Sequence, residues 1–173
     1  ADCDLAARVL EVVVRREQPD LVLLGKQAVD DDQGQAGQLL AERLGWGQIT
    51  FVTRPDRLDS EAEKKRLPAV EVSGAVARAW RQTDAGLERL EVDLPAVLTV
   101  DLRLNKPRLA TLMGLRKARG MAFDVLSPAA LSVDTALKVR PVKFAAPAAR
   151  KAGERVADVA TLVRRLREEA GVL

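Results

Sequence analysis

The sequence contains no histidine and no tyrosine. Without histidine the chain lacks the commonest general base and the commonest zinc ligand, which removes most hydrolytic and zinc chemistry. Aromatic residues make up 3% of the chain and the formal net charge is +3; there is little on which to stack bases and little charge to attract phosphates, so no nucleic-acid partner is expected. The one cysteine, Cys3, excludes an internal disulfide framework and, with no base or second thiol to activate it, reads as a bystander on the first helix. No apolar run reaches the roughly 18 residues of a spanning helix, and the first residues carry acids where a signal segment carries bases and apolar residues. The expectation is a soluble, cytoplasmic protein with no membrane insertion. What is present suffices for one packed α/β domain: 173 residues, 47% hydrophobic and 31% charged.

Helical and strand periods alternate along the chain. Leu5, Ala6, Val9, Leu10, Val12 and Val13 form one helical stripe, and after Pro19 the apolar run Leu21 to Leu24 switches to a buried parallel strand. Ala36 to Leu44 predicts a short helix stopped by Gly45, and Gln48 to Val52 a second strand, giving a βαβ outline. "VEVSGAVARAW" and "LERLEV" flank the turn signal Thr83 to Gly86 and predict an antiparallel hairpin. Pro95 to Val100 predicts a third apolar strand, followed by a basic loop, a helix near Leu112 to Ala118, and a further strand near Phe123 to Leu126. The small-residue linker "KFAAPAARKAG" then leads to a terminal helix whose seam is Val156, Val159, Val163, Leu166 and Ala170.

The stretch "DLVLLGKQAVDDDQGQAGQ", Asp20 to Gln38, is the first candidate site. A strand ending in Gly25 and a helix beginning near Ala36 leave backbone N–H groups at the place where a parallel sheet opens its ligand crevice, and such groups attract anions. Gly34 and Gly37 allow the backbone to approach a ligand or to take positive φ. Asp30, Asp31 and Asp32 have three readings on these grounds: a Mg²⁺ cage, carboxylates that hold the loop and a ligand's polar atoms, or a solvated turn with a helix cap. The loop is neither a G-x-G-x-x-G nor a Walker sequence.

Two blocks carry a family resemblance. "PDLVLLGKQAVDDDQGQAGQLLAERLGW" and "DAGLERLEVDLPAVLTVDLRLNKPRLATLMGLRKARG" resemble the β subunit of electron transfer flavoproteins in order and spacing. Ala79, Arg81, Asp84, Gly86, Glu88, Leu90, Pro95, Val97, Leu98 and Thr99 look like that family's signature around its hairpin and following strand. The resemblance implies a Rossmann-like α/β fold of adenine-nucleotide-binding type, a parallel-rich sheet with an inserted antiparallel hairpin and a C-terminal helical arm. Residues 1–134 would form the nucleotide-binding domain and 135–173 the arm that packs on a partner subunit. The family's first βαβ portion has no counterpart before Ala1, so the chain is expected to be a C-terminal portion.

The resemblance also implies an electron carrier, not an enzyme, with no catalytic residues and no metal. FAD would be held mainly by an α subunit in a heterodimer, and AMP would be buried by the loop. Carried onto this sequence, the AMP-binding residues are Gly25, Lys26, Gln27, Ala28, Asp30, Asp31, Asp32, Gln33, Gly34, Gln35 and Ala36, with Gln33 to Ala36 offering N–H groups to the phosphate. Where the family commonly reads Asn-Gln-Thr, this chain has Gly34, Gln35 and Ala36. Two side-chain hydrogen bonds of about 0.5 to 1.5 kcal/mol each are lost while the backbone cradle survives. In flavin-bifurcating relatives the same site takes a second FAD.

Arg103, Lys106, Arg108, Arg116, Lys117 and Arg119 crowd one segment in which Asp101 is the nearby acid. Read alone, they form a solvated helix face or a phosphate patch. The resemblance adds a third reading: "LNKPRLATL" looks like the loop that docks the carrier on acyl-CoA dehydrogenase-type donors, with Leu112 as apolar anchor and Arg103, Lys106, Arg108, Arg116 and Lys117 around it. Arg119 and Gly120 replace lysines that relatives methylate, so no modification is expected near Lys117. Trp46 and Trp80 read as packing residues. Competing functions are a stand-alone adenine-nucleotide-binding regulatory domain without flavin, and an AMP-transferring enzyme, which the missing histidine and phosphate-loop lysine disfavour.

Overall fold

The computed structural model describes residues 2–55, 68–149 and 152–172, and the chain divides into two compact units, Ala1–Arg140 and Pro141–Leu173. In the first unit, helix α1 (Cys3–Glu17) starts at Asp2, whose carboxylate accepts from Leu5 N at 2.8 Å. It leads into β1 (Leu21–Gly25), then α2 (Ala36–Leu44), which Gly45 ends in the left-handed conformation, and β2 (Gly47–Val52). Next come β3 (Val70–Ser73), β4 (Val76–Thr83), β5 (Gly86–Asp93) and β6 (Ala96–Val100). Helix α3 (Leu112–Arg119) follows, with Thr111 as its cap.

The strands form one curled, mixed sheet of Rossmann-like character in the order β1-β6-β2-β4-β3, with β5 on the free edge of β4. The central strand β6 runs parallel to both β1 and β2, from Leu21 opposite Ala96 to Gly25 opposite Val100 and from Gly47 opposite Ala96. A bulge between Ile49 and Val52 shifts the second register and leaves Phe51 at φ 57°. Beyond the bulge, β2 meets β4 antiparallel at Val52 and Arg81. A strand with neighbours on both sides and helices on one face reads as an apolar run, and Ala96 to Thr99 are all buried.

The core lies on both faces of this sheet. Ala7, Val14, Leu40, Ala41 and Val97 lock α1 and α2 onto one face, with Trp46 packed against them. Ile49, Val52, Ala79, Ala96 and Leu98 fill the other, where the antiparallel strands curl over. An ion-pair network joins the helices: Arg43 bonds Asp4 of α1 at 3.0 Å and Glu11 at 3.3 Å. The Arg43 guanidinium, first among several influences, holds the Asp4 carboxyl below the ordinary carboxylate value.

Three sequence expectations change. The expected hairpin is a three-stranded meander, because the chain turns a second time at Gly74, φ +58°, inside what reads as one alternating segment. Phe123 to Leu126 forms no strand; it is exposed and pairs with no strand of the sheet, and apolar β-formers without a ladder partner do not stay extended as a strand. In the second unit the terminal helix α4 spans Val159–Glu168, capped by Asp158 accepting from Thr161 N at 2.7 Å. Its apolar stripe is therefore Val159, Leu162, Val163 and Leu166, with Val156 and Ala170 outside the helix. Leu21 to Leu24 is a strand as expected but not a buried one: Leu21, Val22 and Leu24 are half-buried and Leu23 is 53% exposed, on the outermost strand of the sheet.

Candidate functional site

The loop after β1 is assembled by its own side chains. Lys26 N extends the ladder to Val100 O at 2.9 Å, and Asp32 N closes a turn on Ala28 O at 3.0 Å. Asp31 Oδ1 accepts from Gln33 N at 3.2 Å, and Asp32 Oδ1 accepts from Gln27 Nε2. Asp32 at φ 53° and Gly34 at φ +60° turn the chain back toward α2. Two of the three aspartates thus serve as acceptors within the loop. Among the described residues no group of three or more His, Cys, Asp or Glu is placed to hold a metal ion.

Beneath the loop lies a cavity of about 520 Å³. Gly25, Lys26, Gln27, Ala28, Asp30, Asp31, Gly34, Gln35 and Ala36 line it, whereas Asp32 and Gln33 stand outside, occupied with the loop's own bonds. The opposite wall comes from α1, through Asp2, Cys3, Ala6 and Leu10, joined by Leu24 of β1. Sequence reasoning placed none of the α1 residues at the site. Ala6 and Leu10 were legible only as part of an apolar stripe, and Cys3, read as a bystander, lies in the wall.

The floor is the start of α2. Gln35, its capping residue, supplies no side-chain hydrogen bond, and the first turn of any helix has no intrahelical acceptors for its N–H groups. Gly37 permits α2 to lie against β6: a Cβ there would be 2.2 Å from Thr99 Cγ2. The cavity therefore combines uncapped helix N–H groups, which favour an anion, with apolar side chains from Ala6, Leu10 and Leu24. Lys26 lines it too, but its ammonium is drawn away to Asp101 at 2.8 Å and lies 5.6 Å from the Phe51 ring centroid. That ammonium, followed by bonds from Arg103, outweighs burial and holds the Asp101 carboxyl well below the usual carboxylate range.

The basic segment is built differently. Leu112 opens α3 and is 68% exposed; Met113 beside it is also exposed, and no residue of α3 is buried. Thr111 Oγ1 accepts from Gly114 N at 3.1 Å, which fixes where the helix begins. Arg116, Lys117 and Arg119 gather in the last turn, where positive charge opposes the negative end of the helix. Lys106 and Arg108 are exposed on the preceding loop. Arg103 stands apart: its Nε is 3.1 Å from Asp101 Oδ1 and its terminal nitrogen 2.7 Å from Gln82.

The fold and this cavity define a Rossmann-like α/β domain with a pocket where β1 ends and α2 begins. The chain belongs to the electron transfer flavoprotein domain family, whose profile matches residues 1–131. It is 41% identical over 167 residues to the electron transfer flavoprotein subunit beta of Bradyrhizobium diazoefficiens, covering 96% of this chain and 61% of that protein. The human subunit beta is 41% identical over 162 residues, 94% of this chain and 58% of its own length. The mitochondrial subunit beta of Oryza sativa subsp. japonica is 40% identical over 167 residues, 96% and 60%. The chain spans about three fifths of the length of the curated relatives it matches.

Proposed function

We propose that this chain acts within an electron transfer flavoprotein β subunit, an electron carrier that holds AMP beneath the 25–36 loop and pairs with an α-type flavoprotein subunit. FAD, held mainly by that α subunit, supplies the redox chemistry when bound. The observation that carries the reading is the open cleft at the uncapped start of α2. Its N–H groups suit one phosphate, its apolar wall suits a purine, and the aspartates shape the loop. The relatives' printed names supply the electron-transfer role.

The rest of the molecule supplies the surfaces such a carrier needs. The stripe Val159, Leu162, Val163 and Leu166 is presented to the α subunit. Leu112 seats in an apolar pocket of an acyl-CoA dehydrogenase-type donor, while Lys106, Arg108, Arg116 and Lys117 speed encounter with its acidic surface. The direct test is an acid extract of the purified heterodimer, analysed for nucleotides. The expected result is AMP in amounts comparable to protein, together with FAD, and no loss of AMP on treatment with a chelator. Release of AMP by the chelator would transfer the role of Asp30 to Asp32 to a magnesium cage.

A further inference from the structure

Asp101 stands where three segments meet. It follows β6, its amide donating to Val52 O at 2.7 Å and its carbonyl accepting from Leu104 N at 3.0 Å. Its side chain is only 7% exposed. Oδ2 takes the Lys26 ammonium at 2.8 Å, and Oδ1 takes both the backbone N–H of Arg103 at 2.9 Å and its Nε at 3.1 Å. Around this group opens a cleft of about 640 Å³, bordered also by Phe51, Arg81 and Gln82, and distinct from the cavity under the loop. Lys26 is the first residue of the nucleotide loop and Arg103 the first cation of the basic segment.

We propose that Asp101 is a positioning residue that couples these two regions. One nearly buried carboxylate is shared by two cations, so displacing either alters the pairing left to the other, and the two are not independent. A ligand that fixes the loop through Lys26 also fixes Arg103 and Leu104. By linkage, a partner that grips the basic segment tightens the loop's hold on its ligand by the same factor. The inference rests on the AMP reading above.

The experiment is hydrogen exchange of the heterodimer with and without saturating AMP, following the peptide that contains Arg103 and Leu104. In the wild type, AMP should slow exchange there about fivefold, the lower end of typical coupling between sites. Asp101→Asn keeps an acceptor for the Arg103 N–H but loses the charge that clamps Lys26; the AMP response should vanish, and Lys26→Met should remove it as well. The double variant should add nothing. A merely structural role would raise exchange equally with and without AMP. A full response in Asp101→Asn, or in Lys26→Met should the first variant misfold, overturns the coupling alone. Failure of the wild type, first stripped of copurified nucleotide, to bind AMP in calorimetry overturns the nucleotide reading and this inference with it.

Discussion

The loop at 25–36 and the basic segment from Leu102 onward leave the same strand layer and meet opposite fates. The loop folds back on α1 and α2 and spends its polar groups on itself, bordering an open cleft. The segment keeps Leu102, Leu109, Leu112 and Met113 more than two-thirds exposed, with Phe123, Val125, Val142 and Phe144 exposed further on. One region turns its polar groups inward on its own chain; the other leaves its apolar side chains exposed.

The largest test of that contrast concerns α4. Val159, Leu162 and Val163 are exposed and Leu166 is half-buried; an aliphatic side chain left fully in water forgoes roughly 1.5 to 3 kcal/mol relative to burial, and these forgo part of it. The chain purified without its α subunit should self-associate in sedimentation velocity, and Leu166→Asp should abolish heterodimer formation. A monodisperse, cooperatively melting monomer would erase the distinction between the two regions.

On the loop's side, Gly37→Val drives a side chain into Thr99 and should cost about 1 to 3 kcal/mol by overpacking, with nucleotide lost. Gly34→Val instead strains a left-handed backbone. It should release AMP with a smaller fall in melting temperature. Calorimetric melting beside nucleotide content separates the two, and AMP retained by Gly34→Val would show that the loop is not the binding element.

On the basic segment's side, Leu112→Ala should lower electron transfer from an acyl-CoA dehydrogenase about thirtyfold, equivalent to a 2 kcal/mol anchor. Folding and AMP content should not change, since Leu112 packs on no core. Lys106→Glu should slow association and flatten its salt dependence. Stopped-flow reduction at several ionic strengths reads both effects, and wild-type rates for Leu112→Ala would return the segment to a solvated face.

The smallest expected effect is one of pH. Asp101 is held below its ordinary value of 3.8. A lowered carboxyl contributes stability that is present above the ordinary value and lost only as pH falls through the lowered one. The contribution of Asp101 to the melting temperature should therefore stay level from about pH 8 to about pH 5, a range that lies above the carboxylate titration. A fall in melting temperature on the acid side as steep in Asp101→Asn as in the wild type would mean that the Lys26–Asp101 pair does not contribute.

Local signals explain which parts were legible in the sequence. Ala36 to Leu44 with Gly45 after it, and the apolar run of β6, carry period, length and stop signal together, and both are where the pattern puts them. The turn at Gly74 hid because alternation continues across it, so one residue with positive φ was the only mark, and the Ser73-Gly74 pair that signals it was passed over. Phe123 to Leu126 had composition without a neighbour, and pairing is a tertiary fact. For the site, the loop was visible as a strand, acids and glycines in succession. The α1 wall was not, since Asp2, Cys3, Ala6 and Leu10 meet the loop only once both helices sit on the sheet. Asp101 was counted as one acid among cations, with nothing in its spacing to tie it to Lys26, 75 residues away.

Asp2 does more than begin α1. Besides capping the helix, its second oxygen accepts from Lys138 N at 2.9 Å and Val139 N at 3.2 Å, and the first of these bonds spans 136 residues. At a synthesis rate of about 5 to 20 residues per second, Lys138 emerges roughly 7 to 27 seconds after Asp2. The first helix can form early, but the clasp across it is the last act of translation for this unit. A nascent chain interrupted before that point carries the cavity wall without its fastening.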